Sequence, residues 1–452
     1  MSGLTVIGGG LAGAEAAWQA AEAGCRVVLW EMRPFRMTGA HRTDRLAELV
    51  CSNSLGSRLP DRASGLLQQE LRALGSLLLR CADEAAVPAG ASLAVDRTIF
   101  AESVTSAIGG HPRIELRREE AIALPEGPAV IAAGPLASPA FSARLAEATG
   151  EENLYFYDAI APVVLAETID FSIAFHGSRY GRGELEKGDY VNCPFTREEY
   201  ERFVAELRGA RRAPLREFES AIEKGVPAAG AYFEGCLPIE VLAQRHADAP
   251  AHGPMRPVGL TDPRTGRRPW AVAQLRRENR AGDLYNLVGF QTNLLESEQR
   301  RVFRLIPGLQ QAEFDRYGQM HRNTYLNARR LLKPTLQWRA RSDIFFAGQI
   351  AGVEGYAGSI ATGWLAGINA ARLLVRGLSP IIPPAETMLG ALCRALTEGE
   401  TVGFQPIKAN LGLLGPVEQQ QTTSGGRRER AAALAKRAES VLSEWKAGLA
   451  VN

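Results

Sequence analysis

The sequence predicts an α/β chain, a discontinuous Rossmann-like dinucleotide-binding domain that carries a mixed α/β insertion domain. Three observations predict it. A short apolar strand, a glycine turn, an alanine-rich helix and a second strand follow one another in the first 31 residues. Two later apolar runs, 129–133 and 344–347, lead into Gly134 and Gly348 as strands of a parallel sheet lead into their turns. Between these runs the texture changes to Pro- and Gly-punctuated segments and charged helices such as 196–208. The expected division is therefore 1–160 for the first part of the nucleotide-binding domain, 161–335 for the insertion and 336–452 for the second part, ending in a charged helix from Ser424. A chain of 452 residues is also longer than one ordinary core requires.

The N-terminal unit is specific enough to imply a ligand. Residues 4–7 form the first strand, and Gly8, Gly9, Gly10, Leu11, Ala12 and Gly13 form the turn into the helix. In this GxGxxG pattern Gly8 makes the turn, Gly10 lets the backbone approach a pyrophosphate, and Gly13 lets helix and strand pack closely. The helix N-terminus offers free N–H groups to the phosphates. Glu31 ends the second strand, 23 residues after Gly8, where a carboxylate hydrogen-bonds ribose hydroxyls. The late run, ending in Gly348 and continuing through Gly352, Glu354, Gly355 and Gly358, is where FAD-dependent folds return a strand and a helix N-terminus to the flavin. FAD is thus favoured over NAD, with Gly134, Gly348, Glu354 and Gly355 as further contacts. Only one full fingerprint is present, so NAD(P)H is expected as a transient co-substrate without a domain of its own.

Composition sets the other bounds. Hydrophobic content of 46% and charged content of 23% describe a globular protein, with no apolar run of membrane-spanning length and no secretion signal at Met1. The six cysteines, Cys25, Cys51, Cys81, Cys193, Cys236 and Cys393, form no CxxC pair. No metal site and no disulfide framework are expected, and a cytoplasmic location is. Only six of the 52 basic residues are lysine, at a net charge of +2. Genomic base composition accounts for such a bias, and arginine's planar fork also suits phosphates and stacked bases. Candidate phosphate contacts are Arg264, Arg267, Arg268, Arg276 and Arg277, with Arg427, Arg428 and Arg430 near the C-terminus.

The motifs VIGGGLAGAEAA, ELVCSNSL, FYDAIAPVV, DYVNCPF, FEGCLPIE, VGFQTNL, MHRNTYLNA, FFAGQIAGVEGYAGSIATG and FQPIKANLGLL occur in this order from about residue 4 to residue 414. Together they closely resemble the folate- and FAD-dependent tRNA (uracil-5-)-methyltransferases, the TrmFO family. The resemblance implies methylenetetrahydrofolate as carbon donor, reduced FAD as hydride donor, NAD(P)H as reductant and the uridine of the tRNA T-loop as target. It implies that Cys236, in FEGC, adds to uracil C6 and that Cys51, in VCSNS, removes the C5 proton. His321, in MHRNT, is expected to stack on the folate pterin. Cys193 and Cys25 read as packing residues, and Arg97 sits in a family-like position without a role. No partner protein is evident. The same motifs at the flavin would serve a relative that methylates ribosomal RNA. A wobble-uridine-modifying flavoenzyme shares the fold's beginning but has a much longer C-terminal helical region. A flavin-disulfide reductase would need a second cysteine close to Cys51, and none is near it in sequence.

Overall fold

Short runs of β-branched and large apolar residues become the strands of a parallel sheet because helices cover both faces. In the computed structural model, which describes residues 3–151, 154–213, 237–416 and 426–451, this sheet has five strands. Their order is Ile344–Phe346, Ala129–Ile131, Gly3–Ile7, Arg26–Glu31 and Ile114–Arg118, all parallel. The fold is α/β and Rossmann-like, as the sequence predicts. The helix Leu11–Glu22 lies beside a second long helix, Tyr356–Arg376. Their close approach explains the small residues of both. A Cβ at Gly363 would fall 2.3 Å from the Ala12 carbonyl oxygen, and one at Gly367 would fall 2.4 Å from that of Ala16.

The second sheet is antiparallel. Its six strands run in the order Phe175–Gly177, Tyr190–Phe195, Ala271–Arg277, Leu284–Leu287, Val163–Leu165 and Phe314–Arg316. The helix Arg197–Gly209 packs on it through Tyr200, Phe203, Val204 and Leu207, and begins with a capping box between Thr196 and Glu199. Two large apolar cores result. The first holds the parallel sheet and includes Tyr325, Leu326, Leu332 and Leu336. The second runs from Val164 to Phe314 in sequence and includes Cys193. Where the chain passes between them, the strand Leu154–Ala159 pairs antiparallel with Met320–Tyr325 and sets Asp158 opposite His321. The C-terminal helix Arg427–Val451 rests on the first core through Ala435 and Ala438. Among the described residues no helix is long and apolar enough to cross a membrane.

Candidate functional site

The glycine turn opens on a cleft of about 980 Å³, lined by Gly8, Gly9, Gly10, Leu11, Ala12, Glu31, Gly134 and Gly348 among others. Gly8 has φ +101° and its Cβ would collide with the Ala132 carbonyl oxygen at 2.4 Å, so only glycine makes this turn. Gly13 does not line the cleft. It packs against the turn, where a Cβ would lie 1.7 Å from the Gly8 carbonyl oxygen. Gly10 differs from both: its Cβ position has no atom within 4 Å, and it caps the helix without any side-chain hydrogen bond. The free N–H groups of this helix therefore face open space, the condition for holding a diphosphate.

Glu31 is buried against the glycine turn. Its Oε2 accepts from the Gly9 N–H at 2.9 Å, and its Oε1 accepts from the Arg33 N–H at 3.0 Å and Arg33 Nε at 2.8 Å. Burial would raise its pKa, but the Arg33 guanidinium and these N–H donors outweigh that and hold it below the ordinary carboxylate value. Sequence reasoning missed Arg33, which also pairs with Glu48 at 3.1 Å.

A second cavity, about 930 Å³, adjoins the cleft and shares Gln349 and Tyr356 with it. Cys51, Ser52, Asp158, Glu354, Gly355 and Lys408 line this cavity. Gly355, at φ +90°, caps the helix Tyr356–Arg376 with no side-chain bond, so a second helix N-terminus opens here. The Cys51 loop is held from three directions. Tyr356 Oη accepts from the N–H groups of Cys51 at 2.8 Å and Ser52 at 3.2 Å. Arg97 donates to the carbonyl oxygens of Leu49 and Cys51 and to the Glu278 carboxylate. Arg276 donates to Asn53 Oδ1 and Ser52 Oγ, each at 2.8 Å. Burial pushes the Tyr356 phenol well above its usual range and lowers Arg276, whereas Arg97, lowered by burial alone, is held up by Glu278. Glu354 is raised by burial against the pull of Lys408, whose Nζ lies 3.0 Å from its Oε2.

His321 lines a third opening, about 1090 Å³, which shares Met32 and residues 135–138 with the cleft. Its Nδ1 is buried with no hydrogen-bond partner among the described residues. Burial lowers its pKa below the ordinary histidine value; Asp158 opposes that shift and Arg316 adds to it. Cys51 and His321 are thus linked through Asp158, although they lie in separate cavities. Cys236 falls outside the described residues. Cys25 and Cys193 are buried, and burial pushes the Cys193 thiol up to about 12.

Arg276 is corrected. It faces inward and binds the Cys51 loop, so it is no surface phosphate contact. Arg264 is tied to Asp262 at 2.8 Å, Arg277 is half-buried, and Arg428 lies 3.5 Å from Asp61. Arg267, Arg268 and Arg430 are exposed, and the Arg427 side chain is outside the described residues. Among the described residues no group of His, Cys, Asp and Glu could hold a metal ion. Tyr356, Asp158 and Lys408 were present in the quoted motifs, but nothing in the linear sequence set them beside Cys51.

The fold and the cleft define a dinucleotide-binding α/β protein of the flavoprotein type. Residues 3–377 match the family described as glucose inhibited division protein A. The chain is 54% identical over 98% of its length to the methylenetetrahydrofolate–tRNA-(uracil-5-)-methyltransferase TrmFO of Rubrobacter xylanophilus, covering 97% of that protein. It is 53% identical to the TrmFO of Thermosynechococcus vestitus, over 100% of this chain and 96% of the relative. Among solved structures, GidA of Aquifex aeolicus superposes with a TM-score of 0.68 at 18% identity, covering 98% of this chain and 73% of that one, which is a likeness of fold. The chain belongs to the TrmFO family, within the larger family of glucose inhibited division protein A.

Proposed function

We propose that the protein is a cytoplasmic methylenetetrahydrofolate–tRNA-(uracil-5-)-methyltransferase that acts on a T-loop uridine, with FAD as bound cofactor and NAD(P)H as reductant. The observation that carries this reading is the junction at Gln349 and Tyr356 between the dinucleotide cleft and a cavity that presents the Cys51 thiol. The residues fit FAD: the space over Gly10, the uncapped helix behind it and the acidic Glu31 match phosphates and ribose. In its reduced form FAD would supply the hydride that turns a methylene group into methyl. The turn glycines would hold its diphosphate through backbone N–H groups, and Gly355, whose Cβ position has no atom within 4 Å, leaves the backbone open at the second helix start.

The chemistry follows from uracil's low nucleophilicity at C5. A Cys236 thiolate adds to C6 and gives C5 the character of an enolate carbon. C5 then attacks the one-carbon unit of folate, which His321 would orient by stacking, and Cys51 takes the C5 proton. Departure of folate leaves a methylene that accepts hydride, and expulsion of Cys236 restores the ring. The likeness over 98% of the chain supports uracil-5 methylation in tRNA more than wobble-uridine modification, since the similar proteins carry that activity in their names.

The test supplies carbon-labelled methylenetetrahydrofolate and NADPH to the flavin-loaded protein with tRNA or ribosomal RNA. Labelled 5-methyluridine in tRNA, found by nucleoside mass spectrometry, is expected. Label in ribosomal RNA alone would overturn the target, and dependence on S-adenosylmethionine would overturn the chemistry.

A further inference from the structure

A thiolate that removes a proton becomes a thiol, and the next turnover requires an acceptor for that proton. Two oxygens lie against Cys51 Sγ, the Ala159 carbonyl at 3.8 Å and the Asp158 carboxylate Oδ1 at 3.9 Å. An ionised carboxylate is the stronger proton acceptor of the two, and once protonated it can donate onward, whereas an amide carbonyl only accepts hydrogen bonds. Asp158 is 9% exposed and lines the same cavity as the thiol. Its Oδ1 accepts the Ala159 N–H at 2.9 Å, which fixes the carboxylate next to sulfur. Among the described residues Asp158 has no ion-pair partner, whereas Glu354, the other carboxylate of the cavity, is engaged by Lys408.

We propose that Asp158 is the acid–base partner of Cys51, receiving the proton that the thiol takes from uracil C5 and releasing it to water in the cavity. This rests on the proposed function. The C5–H bond breaks and its electron pair stays with the ring, which uses it to expel folate. The proton bonds to Sγ. The S–H bond then breaks, sulfur regains its pair, and the proton passes to Asp158 and out to solvent. Nothing is oxidised or reduced in these transfers.

The surrounding charges suit the exchange. Arg97 and Arg276 donate to the Cys51 loop, and Tyr356 holds its backbone at the helix start. Glu354 and Lys408 stand across the cavity, and His321 faces Asp158 from the paired strand.

The experiment compares the full-length, flavin-loaded protein with its Asp158→Asn and Asp158→Glu variants. Asp158→Asn should lower kcat for methyl formation at least about 100-fold while KM for tRNA and folate stays within about threefold. Its flavin spectrum and its covalent trapping of 5-fluorouridine RNA should match wild type. Alkylation of Cys51 by iodoacetamide should be no slower, because a negative charge beside the thiol has gone. Asp158→Glu should recover at least about tenfold. A kcat within about threefold of wild type in Asp158→Asn overturns the assignment. So does loss of flavin, loss of trapping or absence of rescue by Glu, each of which marks a structural role. A wild-type protein that forms no labelled methyl group refutes the underlying function instead.

Discussion

Replacing Arg97 by methionine separates the stability of the site from its geometry. Arg97 begins the helix Arg97–Gly109, whose N-cap Asp96 accepts from the N–H groups of Thr98 and Ile99. Its side chain is 14% exposed and that of its partner Glu278 is 8% exposed. Glu278 Oε2 has no hydrogen-bond partner among the described residues, so Arg97 is the group that compensates this carboxylate. Removing the guanidinium leaves a buried charge unpaired, a loss of about 3–5 kcal/mol. The carbonyls of Leu49 and Cys51 add less, since the Cys51 loop borders a cavity that water can reach. Urea unfolding should therefore show Arg97→Met weakened by about 3–5 kcal/mol. The double variant Arg97→Met/Glu278→Met should recover most of this, because two apolar side chains replace a buried ion pair at little net cost. Both variants lose the donor to the Cys51 loop, however. The rate of Cys51 alkylation, followed by peptide mass spectrometry, should change equally in the two. A single variant weakened by less than about 1 kcal/mol, or a double variant as unstable as the single, would refute the role given to Glu278. Unchanged alkylation in both would refute the anchoring of the loop.

Two further outcomes test the cleft and the first core. Gly10→Val should give a folded, soluble but colourless protein, because no protein atom lies within 4 Å of the added Cβ and the side chain enters the space reserved for phosphates. Flavin content at the wild-type level, or release of FMN in place of FAD from the parent protein, would end that assignment. Glu70 is buried, and burial raises its pKa from 4.5 to about 7 although the N–H groups of Met388 and Leu389 pull the other way. A folded-state value above the unfolded one contributes stability that is full below 4.5 and is lost as pH rises through about 7. Glu70→Gln should therefore gain on wild type between pH 5 and pH 8, by an amount on the order of 3 kcal/mol at most, and parallel thermal curves for the two would reject this.

What the sequence discloses and what it hides follow from the range of each interaction. The N-terminal strand, turn and helix are written largely locally, since Gly13 packs on the Gly8 carbonyl five residues before it, although the wall against Gly8 itself is the distant Ala132 carbonyl. Tyr356–Arg376 is legible as a small-residue helix, but its reason, the carbonyl oxygens of Ala12 and Ala16 beneath Gly363 and Gly367, lies some 350 residues away. Arg276 misleads because adjacent arginines look like a basic pair, whereas strand geometry sends neighbours to opposite faces. In the strand Ala271–Arg277, Arg276 points inward to Ser52 and Asn53 while Arg277 is half-buried beside it.

The same geometry explains the spread of the family motifs along the chain. ELVCSNSL supplies Cys51, FYDAIAPVV supplies Asp158, the GVEGYAG segment supplies Glu354 and Tyr356, and FQPIKANLGLL supplies Lys408, all around one cavity. Two of these walls are built by pairing across long loops. Leu154–Ala159 lies against Met320–Tyr325, and Val353–Glu354 lies parallel to Ile407–Lys408. No single stretch can form such a cavity, because a thiol, a carboxylate and a helix N-terminus must approach from different directions to face one space. A chain that keeps only one of these motifs would keep a strand or a loop. The thiol acquires its carboxylate neighbour only when the strand bearing Asp158 and the loop bearing Cys51 meet, which is why the chemistry is legible from the set of motifs and from none of them singly.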